Sequence, residues 1–339
     1  MTRGLSWKIA GLCLGALAGW LPSRALDAQA LPQVNQAQQV QRAQALETPR
    51  QSTNAADPSL YDGEESDTGD QVILAVAPPS RWNWINVSLD SQYFYTSNAF
   101  LSSTHVEGTE VLVDTINAEL DAPPIAVPYG NLFTQLGYQF QWFDYGIGGA
   151  NGHFSDLDFD SATVYAEAQY SLPDNWSVYG DFSYNRLLFD GSGFDEFYKE
   201  FVPTFSLQKV IPIRKNLQAA VEYSGNYRFT DEAPYPNLGR KCNNRTDEAV
   251  DFDLTWQITP KIDLRPFYRF QYSYYPDYFA GSTRNDFLHT FGVSADYAFN
   301  SWSSIRAFLD YEVLDTDAAS VGDYRKLDVG GGLSASIKF

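Results

Sequence analysis

The chain has 339 residues and a formal net charge of −19, with 16% aromatic residues and a mean hydropathy of −0.32. Outside the N-terminus it contains no apolar run of about 18 residues, which excludes a membrane protein built from helices. The strong negative charge excludes nucleic acid as a partner. Few histidines, and a single cysteine after residue 30, leave neither a disulfide nor an ordinary zinc site. Nucleotide- and cofactor-binding motifs are absent from the sequence, so we expect no cofactor.

Residues 1–30 have the three parts of a secretory signal peptide. Two bases, Arg3 and Lys8, precede an apolar segment at 9–21, and the small residues Ala28 and Ala30 follow as a cleavage-type site. The alternative is a membrane-anchor helix, for which this apolar segment is short. We therefore predict an exported protein and exclude residues 1–30 from the fold.

Residues 31–80 differ in composition from everything after them. Residues 31–46 are rich in Gln and Ala, and residues 57–70 are acidic and contain Pro, Gly and Ser. This composition is typical of a flexible, partly disordered tail, which in an exported protein would lie in the periplasm. Two other hypotheses remain open: insertion of the tail into the interior of a barrel, and contact with a periplasmic partner.

From residue 81 to the end, segments of alternating apolar and polar residues recur along the chain. A period of two predicts β-strands with one apolar and one polar face. We predict about twelve strands, most of them longer than ordinary globular strands and suited to a tilted crossing of a bilayer. The predicted strands are 83–95, 109–121, 131–143, 161–172, 176–189, 196–211, 217–229, 247–259, 262–275, 285–299, 303–315 and 326–339.

The connections between the predicted strands alternate in length. Short turns are predicted at 173–175, 214–216, 260–261 and 300–302, with a somewhat longer turn at 121–130 on the same side. Longer connections lie between them, at 96–108, 144–160, 190–195, 230–246, 276–284 and 316–325. An antiparallel barrel produces this alternation when all its short turns lie at one end. The sequence therefore predicts an all-β chain whose residues 81–339 form one antiparallel up-and-down β-barrel.

Periodicity alone does not distinguish a membrane barrel, whose apolar face meets lipid, from a soluble barrel, whose apolar face is internal. The positions of the aromatic residues favour a membrane barrel, because Trp and Tyr collect at both interfaces of a bilayer. Tyr93, Tyr95 and Tyr311 fall towards one end of the predicted strands. The other end, with the short turns, carries the tryptophans of a predicted membrane-interface belt: Trp84, Trp176, Trp256 and Trp302. We therefore predict that the barrel is transmembrane.

The last predicted strand, 326–339, alternates in the same way and ends on Phe339. It resembles the closing strand of porin-like bacterial outer-membrane β-barrels, although Ile337 stands where those proteins usually have an aromatic residue. The resemblance covers residues 82–339. It implies the outer membrane of a Gram-negative-type bacterium, with both termini in the periplasm and with lipid and lipopolysaccharide around the barrel. It also implies that the barrel-assembly machinery recognises Phe339 and that residues 326–339 pair with the first strand.

Charged residues of both signs lie on the polar faces of the strands. If the apolar faces meet lipid, these charges point into the lumen. The predicted lumen charges are Asp251, Asp253, Asp263, Arg265, Arg269, Asp296, Arg306, Asp310 and Glu312, together with Asp90, Glu167, Asp181, Glu222 and Arg228. One hypothesis is that ion pairs hold the interior together, and the other is that the charges form a constriction that sorts permeants. The excess of acids predicts a mild preference for cations.

These features predict a porin-like passive channel for small polar solutes or ions. The alternative is a closed structural or adhesive barrel that acts through its extracellular loops. A third hypothesis is a lipid-modifying outer-membrane hydrolase, because His153 and Ser155 would share one side of a strand. The residues around this pair depart from the pattern of such enzymes, so we expect no enzymatic activity. The acidic run at 156–160 suggests, finally, a cation site in a loop.

Overall fold

A computed structural model describes residues 84–147, 154–189, 195–232, 241–279, 282–318 and 321–339. The strands are β1 (Ile85–Thr96), β2 (Thr109–Asp121), β3 (Ile125–Val127), β4 (Gly130–Tyr145), β5 (Phe159–Leu172), β6 (Trp176–Phe189), β7 (Glu196–Arg214), β8 (Leu217–Glu232), β9 (Arg245–Thr259), β10 (Ile262–Phe279), β11 (Ser282–Ala298), β12 (Ser303–Thr316) and β13 (Tyr324–Lys338). Short 3-10 helices span Phe154–Leu157 and Pro173–Asn175. Within these ranges, no helix is long and apolar enough to cross a membrane.

All the strands except β3 form one closed antiparallel barrel of twelve strands. Successive strands pair with each other, and β2 pairs directly with β4. The barrel closes between β1 and β13, from Asn86 opposite Lys338 to Thr96 opposite Asp328. This pairing leaves no free edge at the seam, as a stable barrel requires. The short strand β3 pairs only with β4 in the described part of the chain.

The predicted all-β barrel fold and its closing strand pair are confirmed. β2 and β6 have the predicted bounds, and the other long strands differ from their predicted bounds only at their ends. The largest difference is at β10 and β11, which extend until only residues 280–281 separate them, where a longer loop was predicted. Their pairing continues past an irregularity between Tyr275 and Phe279. Pro276 lies within this irregularity, and bulges are among the few places where a strand accommodates proline.

The turn between β5 and β6 shows how one end of the barrel keeps its connections short. Asp174 and Asn175 have φ angles of 59° and 60°, in the left-handed region. Two-residue hairpin turns of type I′ require positive φ at both central residues, and Asp and Asn adopt such angles more readily than most other residues. We call the end of the barrel that contains this turn the short-turn end, and the opposite end the long-loop end.

Each long strand presents one face to the outside and one to the interior. On β1, Leu89 and Tyr93 are exposed on the outer face, whereas Gln92 and Phe94 are buried inside. Large apolar side chains are exposed on the outer face around the barrel, including Ile116, Leu136, Val164, Phe182, Phe205, Tyr223, Phe252, Phe291, Leu309 and Leu333. An apolar surface of this extent is unfavourable in water and is typical of a face that meets lipid.

Two inward-facing aromatic rings pack directly against glycines on the neighbouring strand. Gly137 on β4 lies opposite Tyr165 on β5, and a β-carbon at Gly137 would come 2.1 Å from the Tyr165 ring. Gly292 on β11 lies opposite Phe267 on β10, and a β-carbon there would come 2.2 Å from the Phe267 ring. Because only glycine leaves room for these rings, both contacts help to fix the register of their strand pairs.

Candidate functional site: the barrel interior

The interior changes character about halfway along the strands. On β2 the inward residues Val113 and Thr115 are buried, whereas Asn117, nearer the short-turn end, is half-buried. On β12 the inward residue Glu312 is buried, whereas Asp310 is half-buried. The same change occurs on β1 and β9. On these four strands the inward side chains are buried in the long-loop half and partly exposed in the short-turn half. On β5 and β6, in contrast, Gln169 and Tyr179 are buried near the short-turn end.

Apolar residues fill one side of the long-loop half. They form one buried cluster that comprises Phe94, Ala99, Val111, Val113, Phe143, Tyr145, Phe154, Leu157, Phe159, Leu187, Phe197 and Tyr198. The strand residues of this cluster come from β1, β2, β4, β5, β6 and β7, which make up half of the barrel wall. The remaining members belong to the connections that follow β1 and β4. Loop residues therefore contribute to a core inside the barrel.

Charged residues fill the other side of the long-loop half. Arg228 on β8 donates a hydrogen bond from Nη1 to Glu200 Oε1 (2.9 Å) and another from Nε to Asp247 Oδ2 (2.6 Å). Arg245 on β9 donates from Nε to Asp247 Oδ1 (2.9 Å). All these side chains are buried. Buried charges are tolerated when they are paired and hydrogen-bonded, as they are in this ion network.

The ion network continues onto β10 and β11. Arg284 donates from Nε to Asp286 Oδ1 at 2.8 Å. The ring of Tyr275 interacts with two guanidinium groups, with its centroid 4.4 Å from Arg284 Cζ and 5.4 Å from Arg245 Cζ. Arg245 and Arg284 were not among the predicted lumen charges because they lie just outside the predicted strands. Extending the alternation by two residues at each strand start would have placed both inside.

Four of the predicted lumen charges form two ion pairs, each between adjacent strands. Arg269 on β10 donates from Nη1 to Asp251 on β9, with both carboxylate oxygens at 3.0 Å. Arg306 on β12 donates from Nε to Asp296 Oδ1 on β11 at 3.1 Å. In each pair the two residues lie directly opposite each other in the strand register. This arrangement is the one that the ion-pair hypothesis requires.

The other predicted lumen charges are less uniformly paired. Arg265 Nη2 lies 3.7 Å from Asp263 Oδ2 on the same strand. Glu312 is buried and accepts a hydrogen bond from a tyrosine of β13. Asp253 and Asp310 are half-buried and have neither a hydrogen bond nor an ion pair with any residue that the structure describes. The interior therefore contains both ion-paired charges and carboxylates that form no direct ion pair with a described base.

The inward bases occupy one wall of the barrel. All those within the described ranges lie on β8–β13, and they are Arg228, Arg245, Arg265, Arg269, Arg284, Arg306, Lys326 and Lys338. Between the apolar cluster and the short-turn end, the opposite wall carries mainly amides and hydroxyl groups, with a few acids. Its inward residues there include Gln135, Gln139, Thr163, Tyr165, Glu167, Gln169 and Asp181. Acidic side chains thus occur around the whole circumference, whereas basic side chains do not.

The tryptophans of the predicted belt lie at the short-turn end and are exposed: Trp84 precedes β1, Trp176 begins β6, Trp256 lies near the end of β9, and Trp302 precedes β12. Phe339 follows β13 at the same end. Its backbone N–H donates at 2.8 Å to the carbonyl of Ile85, and its side chain is exposed. An exposed aromatic side chain next to the barrel seam is accessible to a binding partner.

The hypothesis of a lipid-modifying hydrolase loses its geometric basis. It required His153 and Ser155 to share one side of a strand, but Ser155 lies in the 3-10 helix Phe154–Leu157; His153 lies outside the described residues. In the acidic run that follows, Asp158 Oδ1 accepts a hydrogen bond from the backbone N–H of Tyr145 at 2.7 Å. In the described part of the chain, no group of three or more His, Cys, Asp or Glu is arranged to hold a metal ion.

No known family model matches the chain, and no curated protein matches it either. Solved structures with a similar fold include an outer-membrane channel from Pseudomonas putida F1, with 11% identity and a TM-score of 0.48 over 80% of this chain and 100% of that one. The KdgM porin in complex with disordered oligogalacturonate has 11% identity and a TM-score of 0.38, over 74% of this chain and 99% of that one. The transport unit of the autotransporter AIDA-I from Escherichia coli has 8% identity and a TM-score of 0.43, over 78% and 94%.

The strand pairing makes the chain a closed twelve-stranded antiparallel β-barrel. A fold does not by itself define a function, so the function of this chain has to be argued from its own interior.

Proposed function

We propose that the protein is a passive channel of the outer membrane for small polar solutes or ions. The observation that carries this proposal is the polar, partly exposed interior of the short-turn half on β1, β2, β9 and β12, where inward residues such as Asn117 and Asp253 remain half-buried. A barrel of about twelve strands is intermediate between small barrels filled by side chains and wide porins. A purely structural barrel would gain stability by burying apolar side chains at these positions.

The outer face supports a position in a membrane, because it is apolar and carries tryptophans at one rim. In the orientation that we propose, the short-turn end and Phe339 face the periplasm. Lipid and lipopolysaccharide then surround the barrel, and Phe339 is accessible to the barrel-assembly machinery. Residues 31–80 lie outside the described residues; because β1 begins at the short-turn end, we propose that a partner of this segment would be periplasmic. The proposal assigns no enzymatic step to the protein.

A preference for cations over anions is part of the proposal. Asp253 and Asp310 form no direct ion pair with a base among the described residues, and Glu119 accepts hydrogen bonds from the neutral side chains of Asn117 (2.7 Å) and Tyr165 (2.8 Å). Most inward bases, in contrast, are bonded to a carboxylate. Fixed negative charge in a narrow polar passage raises the local concentration of cations and lowers that of anions.

A closed barrel that acts through its extracellular loops is the second candidate. The filled long-loop half of the interior favours it, because the apolar cluster and the ion network together occupy the opening at the long-loop end. We call this opening the mouth of the barrel. In a closed barrel both would be permanent parts of the core. In a channel, part of this filling has to move.

Planar lipid bilayers distinguish the two candidates. We expect the protein without residues 1–30 to produce discrete single-channel current steps, with a reversal potential in a KCl gradient displaced towards the potassium equilibrium potential. If neither this protein nor a variant that also lacks residues 31–80 produces steps, the channel proposal is refuted.

The cation preference is tested with the double variant Asp253→Asn/Asp310→Asn. We expect its reversal potential to move towards zero, because the change removes two lumen carboxylates that form no direct ion pair with a described base. Asp114→Asn is the matched control, because Asp114 lies on the outer face of β2 between the inward residues Val113 and Thr115. Equal shifts in the two variants would contradict the assignment.

A further inference from the structure

Two long connections enter the barrel mouth. One contributes residues 99–101, which follow β1, and the other contributes Phe154–Leu157, which precede β5. Residues in connections usually lie on the surface, yet the exposed fraction is 0% for Ala99, 2% for Phe154 and 1% for Leu157. We define these inserted residues as the plug: Ala99, Phe100, Leu101, Phe154 and Leu157.

The plug completes an apolar cluster that crosses the mouth. The cluster includes Phe94 on β1 and Tyr198 on β7, two strands that lie five positions apart around the twelve-stranded barrel. Phe100 packs against this cluster, and its ring centroid lies 5.8 Å from that of Phe154. Side chains from the two connections therefore touch each other between the walls. The plug is a single apolar unit although it comes from two separate parts of the chain.

Leu101 extends the plug towards the other side of β1. It belongs to a second buried cluster, with Leu288 on β11, Leu314 on β12 and Tyr324 on β13. Its φ angle is 49°, in the left-handed region, which is unfavourable for a residue with a β-carbon. Such a conformation persists when the surroundings hold it in place. The apolar contacts of Leu101 are therefore needed to keep this part of the connection in the mouth.

The plug residues and their neighbours also make polar contacts. The backbone N–H of Ala99 donates to the carbonyl of Glu107 in the same connection (2.8 Å), and Asn98 Nδ2 donates to the carbonyl of Arg325 on β13 (3.1 Å). The contact of Phe100 with Phe154, which joins the two connections, is apolar. Withdrawal of the plug would therefore separate this contact and two apolar clusters, and it would break the hydrogen bond of Asn98 to β13.

An apolar constriction blocks ions because it excludes the water that ions need, even where it leaves some space. We propose that the plug is the outer gate of the channel, closed when packed in the mouth and open when withdrawn. This inference rests on the proposed channel function. Withdrawal leaves the ion network in place, so Arg228, Arg245 and their acids form one wall of the open passage.

Single-channel recording of Phe154→Ser and Leu157→Ser tests the gate. Each change places a hydroxyl group in the apolar contact and favours its hydration, so we expect open probability to rise roughly tenfold or more. Ile147→Ser and Val106→Ser are the matched controls, because these residues lie in the same two connections and are 49% and 59% exposed. Both controls should behave like the unchanged protein.

The outcomes separate the gate from the channel. If the unchanged protein and the plug variants conduct with equal open probability, the gate is refuted and the channel stands. If none of them conducts, the channel proposal fails and the gate fails with it. Circular dichroism checks that each variant retains its β-sheet. If a plug variant loses its β-sheet, Phe100→Ser in the other connection takes its place. We expect the same rise in open probability from Phe100→Ser.

Discussion

Asp247→Asn is expected to destabilise the barrel strongly, because this carboxylate links two buried arginines. It accepts hydrogen bonds from Arg228 Nε at 2.6 Å, from Arg245 Nε at 2.9 Å and from Ser273 Oγ at 2.6 Å, and Asp247 is only 2% exposed. Asparagine has nearly the same volume, so the substitution removes the charge without creating a cavity. Its effect therefore reports the electrostatic role of the residue.

The size of the effect follows from the burial of the pair. Removing one partner of a buried ion pair costs about 3–5 kcal/mol, because the other charge is left uncompensated. Arg228 keeps Glu200 at 2.9 Å, so we expect a loss of about 4 kcal/mol. Asp263→Asn is the comparison, because Asp263 is partly exposed and lies 3.7 Å from Arg265. A pair of this kind contributes at most about 1 kcal/mol.

Equilibrium unfolding in guanidinium chloride, with the barrel in phospholipid vesicles, measures both losses through tryptophan fluorescence. The midpoint should fall much further for Asp247→Asn than for Asp263→Asn, with an unchanged dependence of free energy on denaturant. Equal losses, or a loss below about 1 kcal/mol for Asp247→Asn, would show that the ion network does not stabilise the long-loop half.

Three further predictions concern the register, the assembly and the position of the barrel. Gly292→Ala should cost about 1–3 kcal/mol, because the new β-carbon would overlap the ring of Phe267; Gly180→Ala, with nothing within 4 Å, should be neutral in the same unfolding experiment. Phe339→Ala should slow insertion by purified assembly machinery without changing the stability of the inserted barrel, and equal insertion rates would contradict the assembly role. In a variant that retains Trp302 as its only tryptophan, lipids brominated near the headgroup should quench the fluorescence more than lipids brominated at the chain ends. The reverse order would remove Trp302 from the interface belt.

The barrel could be predicted from the sequence because alternation is a local property of each strand. Leu309 and Tyr311 alternate with Asp310 and Glu312, and this pattern alone assigns the two faces of β12. The number of strands and the alternation of turn lengths then leave a closed barrel as the simplest arrangement. None of these steps requires knowledge of which residues touch across the strands.

The partners of the interior charges could not be predicted in the same way, because they depend on strand register. Arg269 lies opposite Asp251, whereas Asp253, two residues further along β9, lies opposite Phe267 and forms no direct ion pair with a described base. A shift of the register by two residues would exchange these roles while keeping every side chain on the same face. The sequence therefore shows which residues face the interior, and the register shows which of them are paired.

The plug could not be predicted because its residues lie in connections that have no alternation. Connections are expected on the surface, where their backbone groups meet water. Phe100, Leu101, Phe154 and Leu157 were nevertheless a signal, since they are large apolar residues in segments that are otherwise mainly polar. Such residues indicate a buried contact, but the partner surface is defined only when the closed barrel brings β1, β4 and β7 around one mouth.

The apolar part of the filled mouth is the part that can move without disturbing the barrel wall. Phe100, Leu101, Phe154 and Leu157 lie in connections, so their withdrawal does not by itself break a strand pair. The charged residues of the ion network instead lie on the paired strands β7, β8, β9 and β11. Separating them would cost about 3–5 kcal/mol for each broken pair, and Arg228 alone takes part in two such pairs. The plug is therefore the element that moves, and the ion network is the fixed wall beside it.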